Sequence, residues 1–212
     1  MNAQQIETAV AAAGLPSLPA GANAGFEQYL ALLLKWNAKL NLTAIREPAE
    51  IVQRHFLECI QCAQVLPAVS TLLDFGSGGG FPGLPIAILR PQITVTLGES
   101  QAKKAAFLRE AVRILGLKAS VFDGRIETMD ASRRFQAVTL RAVDKMAEAC
   151  SLALERMEVG GWLVVFATSS TETMVKNAVA DATRSAAAIS WTDSIALAGR
   201  DDAFLMMGQR TV

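Results

Sequence analysis

The chain of 212 residues is short of the side chains that carry most chemistry. It has one histidine, one tyrosine and three cysteines, and its formal net charge is zero. With His55 alone, no Ser/His/Asp triad is assignable. Cys59, Cys62 and Cys150 are too few and too odd in number for a disulfide framework, and they fit a reducing compartment. His55, Cys59 and Cys62 do form H-x3-C-x2-C, three potential ligands on one helical face. Structural zinc usually needs two paired clusters, so no metal is expected and the cysteines read as small core hydrophobes. Zero net charge means that a nucleic-acid binder would need a local basic patch. No apolar run is long enough to span a bilayer. Ala9 to Leu15 is short, lacks a basic leader and sits beside Glu7, so no signal peptide is read and the expected location is cytoplasmic. There is no internal repeat and no low-complexity linker.

What is present is organised around Leu72-Leu73-Asp74-Phe75-Gly76-Ser77-Gly78-Gly79-Gly80-Phe81-Pro82-Gly83-Leu84-Pro85. An apolar run, an acid, a cluster of glycines and then prolines suited to a first helical turn describe a strand feeding a ligand-binding turn. Gly78, Gly80 and Gly83 fit the dinucleotide fingerprint G-x-G-x-x-G. Asp74, Gly76 and Gly78 fit D-x-G-x-G, which resembles the cofactor loop of S-adenosylmethionine-dependent methyltransferases.

The remaining pattern separates the two. Residues 1–68 read as helices: Gln4 to Ala13, Asn23 to about Leu42 with a stripe of Phe26, Tyr29, Leu30, Leu33 and Leu34, and a third opening at Pro48. Residues 69–212 alternate strand and helix. Strands are expected over Thr71–Phe75, Ile93–Gly98, Ala119–Phe122, Gln136–Leu140, Trp162–Ala167, Ile189–Leu197 and Ala203–Gly208. Between the first six lie helices over Pro82–Leu89, Gln101–Leu115, a short piece near Glu127, Asp144–Met157 and Thr171–Ala187. This is an α/β fold: a seven-stranded, mostly parallel sheet with helices on both faces. The last two strands are joined by the turn Gly199-Arg200-Asp201-Asp202, so the last runs antiparallel. A nicotinamide dehydrogenase usually carries a second, substrate domain, and no residues remain for one. The terminal hairpin instead looks like the methyltransferase variant of the fold.

Candidate site residues follow from the strand ends, where open α/β sheets bind ligands. Glu99 ends the second strand ~20 residues beyond the glycines, where an acid accepts from ribose hydroxyls; alternatively it supports the start of the next helix. Ile126 and Glu127 follow the third strand at adenine level, or form an ordinary turn. Arg141 ends the fourth strand and can take a carboxylate or phosphate bidentately, or pair with an acid such as Asp144. Arg46, Arg54 and His55 gather at the junction of the helices with the sheet, the better candidate for phosphate contacts. Lys103, Lys104, Arg109 and Arg113 line the helix after Glu99 and read as a solvated face.

Asn41-Leu42-Thr43-Ala44-Ile45-Arg46-Glu47-Pro48, Arg54-His55-Phe56, the loop Asp74 to Pro85 and Leu140-Arg141-Ala142 stand in this order and at these spacings. In them the chain closely resembles the RsmG (GidB) family, from about Phe26 to Val212. The resemblance implies a Rossmann-like class I methyltransferase domain over 69–212 behind an N-terminal helical segment. It implies methyl transfer from S-adenosylmethionine to N7 of one guanine, position 527, in 16S ribosomal RNA. It also implies the small ribosomal subunit as partner, and a monomer. Gly76, Gly78, Phe81, Glu99, Ile126, Glu127 and Arg141 would then meet the cofactor, and Arg46, Arg54 and His55 the RNA. The chain departs from the family at three places. Glu58-Cys59 replace Asp-Ser after the Arg-His pair, Leu140 replaces Ser before the arginine, and Ala167-Thr168 replace Lys-Gly after the fifth strand. All three fall on the substrate side. Two other functions fit the same fold: a small-molecule methyltransferase, and an RNA-binding assembly factor without catalysis.

Overall fold

The structure, a computed structural model, describes residues 1–183 and 189–211. The first helix, α1 (Ala3–Ala12), opens on a capping box between Asn2 and Gln5. It packs on α2 (Ala22–Asn37), whose buried stripe carries Phe26, Tyr29, Leu30 and Leu33. The expected helix to Leu42 stops at Asn37. That side chain accepts from the amides of Leu42 (2.9 Å) and Thr43 (3.1 Å) and donates to the carbonyls of Thr43 and Ile45, folding the chain into a loop instead. Pro48 opens α3 (Pro48–Ile51), as expected of a residue with no amide to satisfy. A π-turn over Val52–Phe56 joins it to α4 (Leu57–Val65). The extra residue per turn lies at Arg54 and His55, and such widened turns concentrate at functional sites.

The sheet contains β1 (Thr71–Phe75), β2 (Thr94–Glu99), β3 (Ala119–Asp123), β4 (Phe135–Leu140), β5 (Met157–Thr168), β6 (Ile189–Trp191), β7 (Ile195–Ala196) and β8 (Ala203–Arg210). Its order is β3-β2-β1-β4-β5-β8-β6, with β7 also on β8. β3, β2, β1, β4 and β5 pair parallel; β8 runs antiparallel to β5, β6 and β7. The sixth expected strand is thus two short ones, interrupted where Thr192 bonds back to Met207. Helices α5 (Gly83–Leu89), α6 (Ala102–Ile114), α7 (Met146–Glu155) and α8 (Glu172–Thr183) connect the strands. The expected end of the last of these, residues 184–187, lies outside the described residues. α7 begins two residues later than expected, because Ala142 and Lys145 take positive φ (50° and 53°) and interrupt the helix there.

One apolar cluster joins Ile6, Phe26, Tyr29 and Phe56 of the helical segment to Leu72, Leu84 and Leu97 of the sheet layer. A second cluster on the opposite face joins Leu73, Val138 and Val165 to α7 and α8. The segment expected as residues 1–68 is therefore packed into the same core as one face of the sheet, beside the glycine turn.

Candidate active site

The carboxyl ends of β1 to β4 form a continuous trough. One half, about 290 Å³, is lined by Phe75, Gly76, Gly98, Arg125, Ile126 and Glu127. The other, about 430 Å³, is lined by Gly76 to Gly79, Phe81, Glu99, Lys104, His55 and Arg141. Gly76, Gly78 and Gly80 all have positive φ, so the loop turns where side chains would be strained. The turn is closed by Gly80 and Phe81 amides on the Ser77 carbonyl. Beneath it lies Asp74, fully buried, which accepts from Thr139 Oγ1 (2.9 Å) and the Gly83 amide (3.1 Å). The sequence reading used Asp74 only as a motif letter; here it ties β1, β4 and the start of α5 together.

Glu99 is 6% exposed, and of the two roles foreseen for it the structure contains the contact at the head of the next helix. Its Oε1 accepts from the Gln101 amide (2.8 Å) at the head of α6, and its Oε2 accepts from the Gly78 amide (2.9 Å). A carboxylate has about four lone-pair sites, so it can still accept from a ligand diol. Ile126 is buried in a single 3-10 turn and Glu127 is exposed beside it.

Arg141 stands where the trough meets a third cleft. Its Nη2 donates to Glu58 Oε2 (2.6 Å) and to the Arg54 carbonyl (3.0 Å), and lies 2.9 Å from His55 Nδ1. The guanidinium lies 5.6 Å from the Phe81 ring centre and 5.5 Å from that of Phe166. Its partner is Glu58, not Asp144. The third cleft, about 640 Å³, is walled by Phe166, Met146, Met174 and Leu197, with Arg141, His55 and Arg200 at its polar end.

His55 Nδ1 lies 2.9 Å from Arg141 Nη2 and 3.1 Å from the Arg54 carbonyl, and its Nε2 lies 2.7 Å from Thr43 Oγ1. Burial first, and the charge of Arg141 second, lower its pKa to about 4. Burial raises Asp74 to about 6 against the hydrogen bonds it receives. These shifts act on stability with opposite signs. A neutral buried histidine contributes stability above pH 6.5 that is lost as pH falls toward 4. A carboxyl held protonated favours the folded state at low pH, and that contribution is lost as pH rises from 3.8 to 6. We therefore expect His55→Gln to lose stability relative to wild type as pH rises from about 4 to 6, and Asp74→Asn to gain it. Chemical denaturation across that range measures both, and slopes equal to wild type would contradict them.

Arg54 is exposed at the same rim. Arg46 is exposed too, but its guanidinium donates to the Asn37 carbonyl and to Asn41 Oδ1, so it braces the loop between α2 and α3. Tyr29, Phe166 and Arg200 enter the site without a signal in the sequence that marks them as site residues. Glu58, a departure from the family pattern on the substrate side, and Thr43, part of the Asn-Leu-Thr motif, take their partners only in the structure. Phe166 and Arg200 reach the site only through the order of the strands.

Tyr29 links the helical segment to the glycine turn. Its hydroxyl donates to the Gly79 carbonyl at 2.5 Å, and its ring packs on Phe56 and Phe81. Tyr29→Phe keeps the rings and leaves that buried carbonyl unpaired. The expected cost is about 1–2 kcal/mol, read as a fall in Tm of roughly 2–8 °C; an unchanged Tm would show the bond to be dispensable.

Among the described residues no group of histidine, cysteine and acidic side chains is placed to hold a metal ion, and no helix is long and apolar enough to cross a membrane. Cys59 and Cys62 are fully buried in the core.

Known proteins share this architecture and sequence. TYW2 of P. horikoshii, solved in complex with MeSAdo, superposes with a TM-score of 0.61 at 14% identity, over 73% of this chain and 62% of that one. The glycopeptide N-methyltransferase MtfA, solved with S-adenosyl-L-methionine, gives 0.59 at 13% identity, over 73% of this chain and 93% of that one. Both are likenesses of fold. The ribosomal RNA small subunit methyltransferase G of Xanthomonas euvesicatoria pv. vesicatoria is 44% identical over 149 residues, 70% of either chain. Its counterpart in Stenotrophomonas maltophilia is 46% identical over 138 residues, 65% of either chain. The GidB family, described as rRNA small subunit methyltransferase G, matches residues 22–195. With that match laid on a Rossmann-like sheet whose strand ends carry the trough, the chain belongs to the GidB family of small-subunit ribosomal RNA methyltransferases.

Proposed function

We propose that the chain transfers a methyl group from S-adenosylmethionine to N7 of a guanine in 16S ribosomal RNA, at position 527 by resemblance. The observation that carries this reading is the meeting of trough and third cleft at Arg141, between Phe81 and Phe166. One holds a methyl donor and the other admits a flat acceptor.

The residues of the trough fit the donor. Glu99 keeps lone pairs for a ribose diol, Ile126 offers an apolar face for adenine with Glu127 at its edge, and Gly76, Gly78 and Phe81 line the amino-acid end. Bound there, S-adenosylmethionine supplies an electrophilic methyl group on a sulfonium centre. Guanine N7 carries its own lone pair, so no side chain has to remove a proton before attack. Accordingly His55 serves to orient: it is neutral, committed to Thr43 and Arg141, and its pKa of about 4 lies below the range of a base at neutral pH. Arg141 is a fixed donor at the junction, suited to holding guanine O6 and so the orientation of the base. Alignment of donor and acceptor can supply up to roughly 7–11 kcal/mol in favourable cases. Arg54, with Arg46 behind it, offers positive charge on the RNA side.

The test is to incubate the protein with labelled S-adenosylmethionine and small ribosomal subunits that lack the modification, then to map the label. Label at N7 of one 16S guanine is expected. Turnover on small metabolites without RNA, or cofactor binding absent altogether, would replace this reading with one of its two alternatives.

A further inference from the structure

We propose that Glu58 is a positioning residue that seats two guanidiniums, Arg141 at the base of the third cleft and Arg200 at its rim, and that Arg200 grips a phosphate of the substrate RNA. This rests on the reading of that cleft as the RNA side.

Arg200 lies on the turn between β7 and β8, and that turn is anchored to α4. Gln61 donates to the Ala196 carbonyl (2.7 Å) and accepts from the Ala198 amide (2.7 Å), gripping the strand from both sides. The Leu197 amide closes on the Ala203 carbonyl. Gly199 sits against Gln53, so closely that a Cβ would lie 2.6 Å from its Nε2. The turn is therefore a wall of the cleft.

Glu58 lies between the two arginines, its side chain 4% exposed. Oε2 meets Arg141 at 2.6 Å and Oε1 meets Arg200 at 3.5 Å. One buried carboxylate is shared by two cations, and Asp202 supplies the second negative charge, so net positive charge is exposed once Asp202 is displaced. The outward side of Arg200 is held by Asp202, at 2.9 Å from Nε and 3.2 Å from Nη2. Asp202 is 65% exposed, so although it holds Arg200 in two places its end of the pair is open to solvent and to a competing anion. A phosphate, which engages the same fork of N–H donors bidentately, can displace Asp202 while Glu58 keeps the arginine aimed. The apolar wall of Phe166, Met174 and Leu197 then faces the base.

The test compares Arg200→Ala, Glu58→Gln, Glu58→Asp and Asp202→Asn. Its readouts are cofactor affinity by calorimetry, transfer kinetics on small subunits over a salt series, and the 15N guanidinium signals of Arg141 and Arg200. Arg200→Ala is expected to raise KM for the subunits about tenfold with kcat within about twofold, and to flatten the salt slope by about one unit. Glu58→Gln is expected to raise KM likewise and to shift both guanidinium signals; Glu58→Asp restores much of the loss. Asp202→Asn lowers KM. Cofactor affinity stays within about twofold in Arg200→Ala and Asp202→Asn. An unchanged KM and salt slope in Arg200→Ala, or a parallel loss of its cofactor affinity, would overturn the phosphate role. Unmoved Arg141 or Arg200 signals in Glu58→Gln would overturn the positioning role. If the wild type methylates no RNA, the assignment of the cleft fails by itself, and the guanidinium signals still decide whether Glu58 positions both arginines.

Discussion

Arg141→Ala is expected to slow methyl transfer, or weaken cofactor binding, at least tenfold, about 1.4 kcal/mol or more. It is also expected to destabilise the protein. The guanidinium is the close partner of a carboxylate buried at 4% exposure, and it stands between two aromatic rings. Removing one member of a buried pair costs about 3–5 kcal/mol where the other charge is left uncompensated; Arg200, 3.5 Å from Glu58 Oε1, compensates it in part, so the expected cost lies at or below the low end of that range. Loss of activity in the single variant would therefore mix two causes, and Arg141→Ala combined with Glu58→Gln separates them. The double variant drops the stranded charge and should recover much of the lost Tm. It should not recover transfer, because no donor then stands at the junction of trough and cleft. Full recovery of transfer in the double variant, or wild-type kinetics and cofactor affinity in the single one, would remove Arg141 from the reaction.

The parts of this site that sequence made legible are those set by local rules. The glycine turn announces itself because backbone at positive φ and helix starts at proline restrict residue choice within a few positions. Glu99, Ile126 and Arg141 were readable as strand ends once alternation placed the strands. The terminal antiparallel pairing was readable from the shortness of the turn at Gly199-Arg200-Asp201-Asp202. What was not legible depends on long-range order. Glu58 and Arg141 are 83 residues apart, and Glu58 and Arg200 are 142 apart. They meet because β4 and β5 are neighbours, β8 adds beside β5, and Gln61 of α4 ties down the chain that leads from β7 to β8. Nor does periodicity register the π-turn at Val52–Phe56, since one extra residue leaves an apolar helix face that still reads as regular. The end of α2 was misplaced for a related reason. Leu40 and Leu42 continue the apolar rhythm, while the Asn37 side chain captures the amides of Leu42 and Thr43.

The glycines of the turn divide into those that serve the fold and those that serve the ligand, and Gly83→Ala is the sharpest test of the first kind. A Cβ on Gly83 would lie 2.3 Å from Leu97 Cδ2, 2.7 Å from Asp74 Oδ2 and 2.9 Å from Asp74 Cβ. Neither neighbour has room to retreat. Leu97 is fully buried on β2, and Asp74 is fully buried and pinned by Thr139. Relief requires α5 to move off the sheet, which also lengthens the 3.1 Å bond from the Gly83 amide to Asp74. Overpacking costs about 1–3 kcal/mol and occasionally more, and loss of a bond to a charged acceptor about 1.5–3 kcal/mol. A total near 3 kcal/mol corresponds to a fall in Tm of roughly 6–12 °C. Gly76→Ala should behave differently. There the space is open, with Val143 no nearer than 3.6 Å, and only the φ of +72° opposes a side chain. That strain costs about 1–2 kcal/mol, yet Gly76 is exposed and lines both halves of the trough. Thermal unfolding should therefore rank Gly83→Ala as the more damaging, while cofactor titration should rank Gly76→Ala so, once each is measured well below its own Tm. Equal stabilities for the two variants would show that α5 can shift without strain, and that the close seat of the turn on Asp74 is not what holds it.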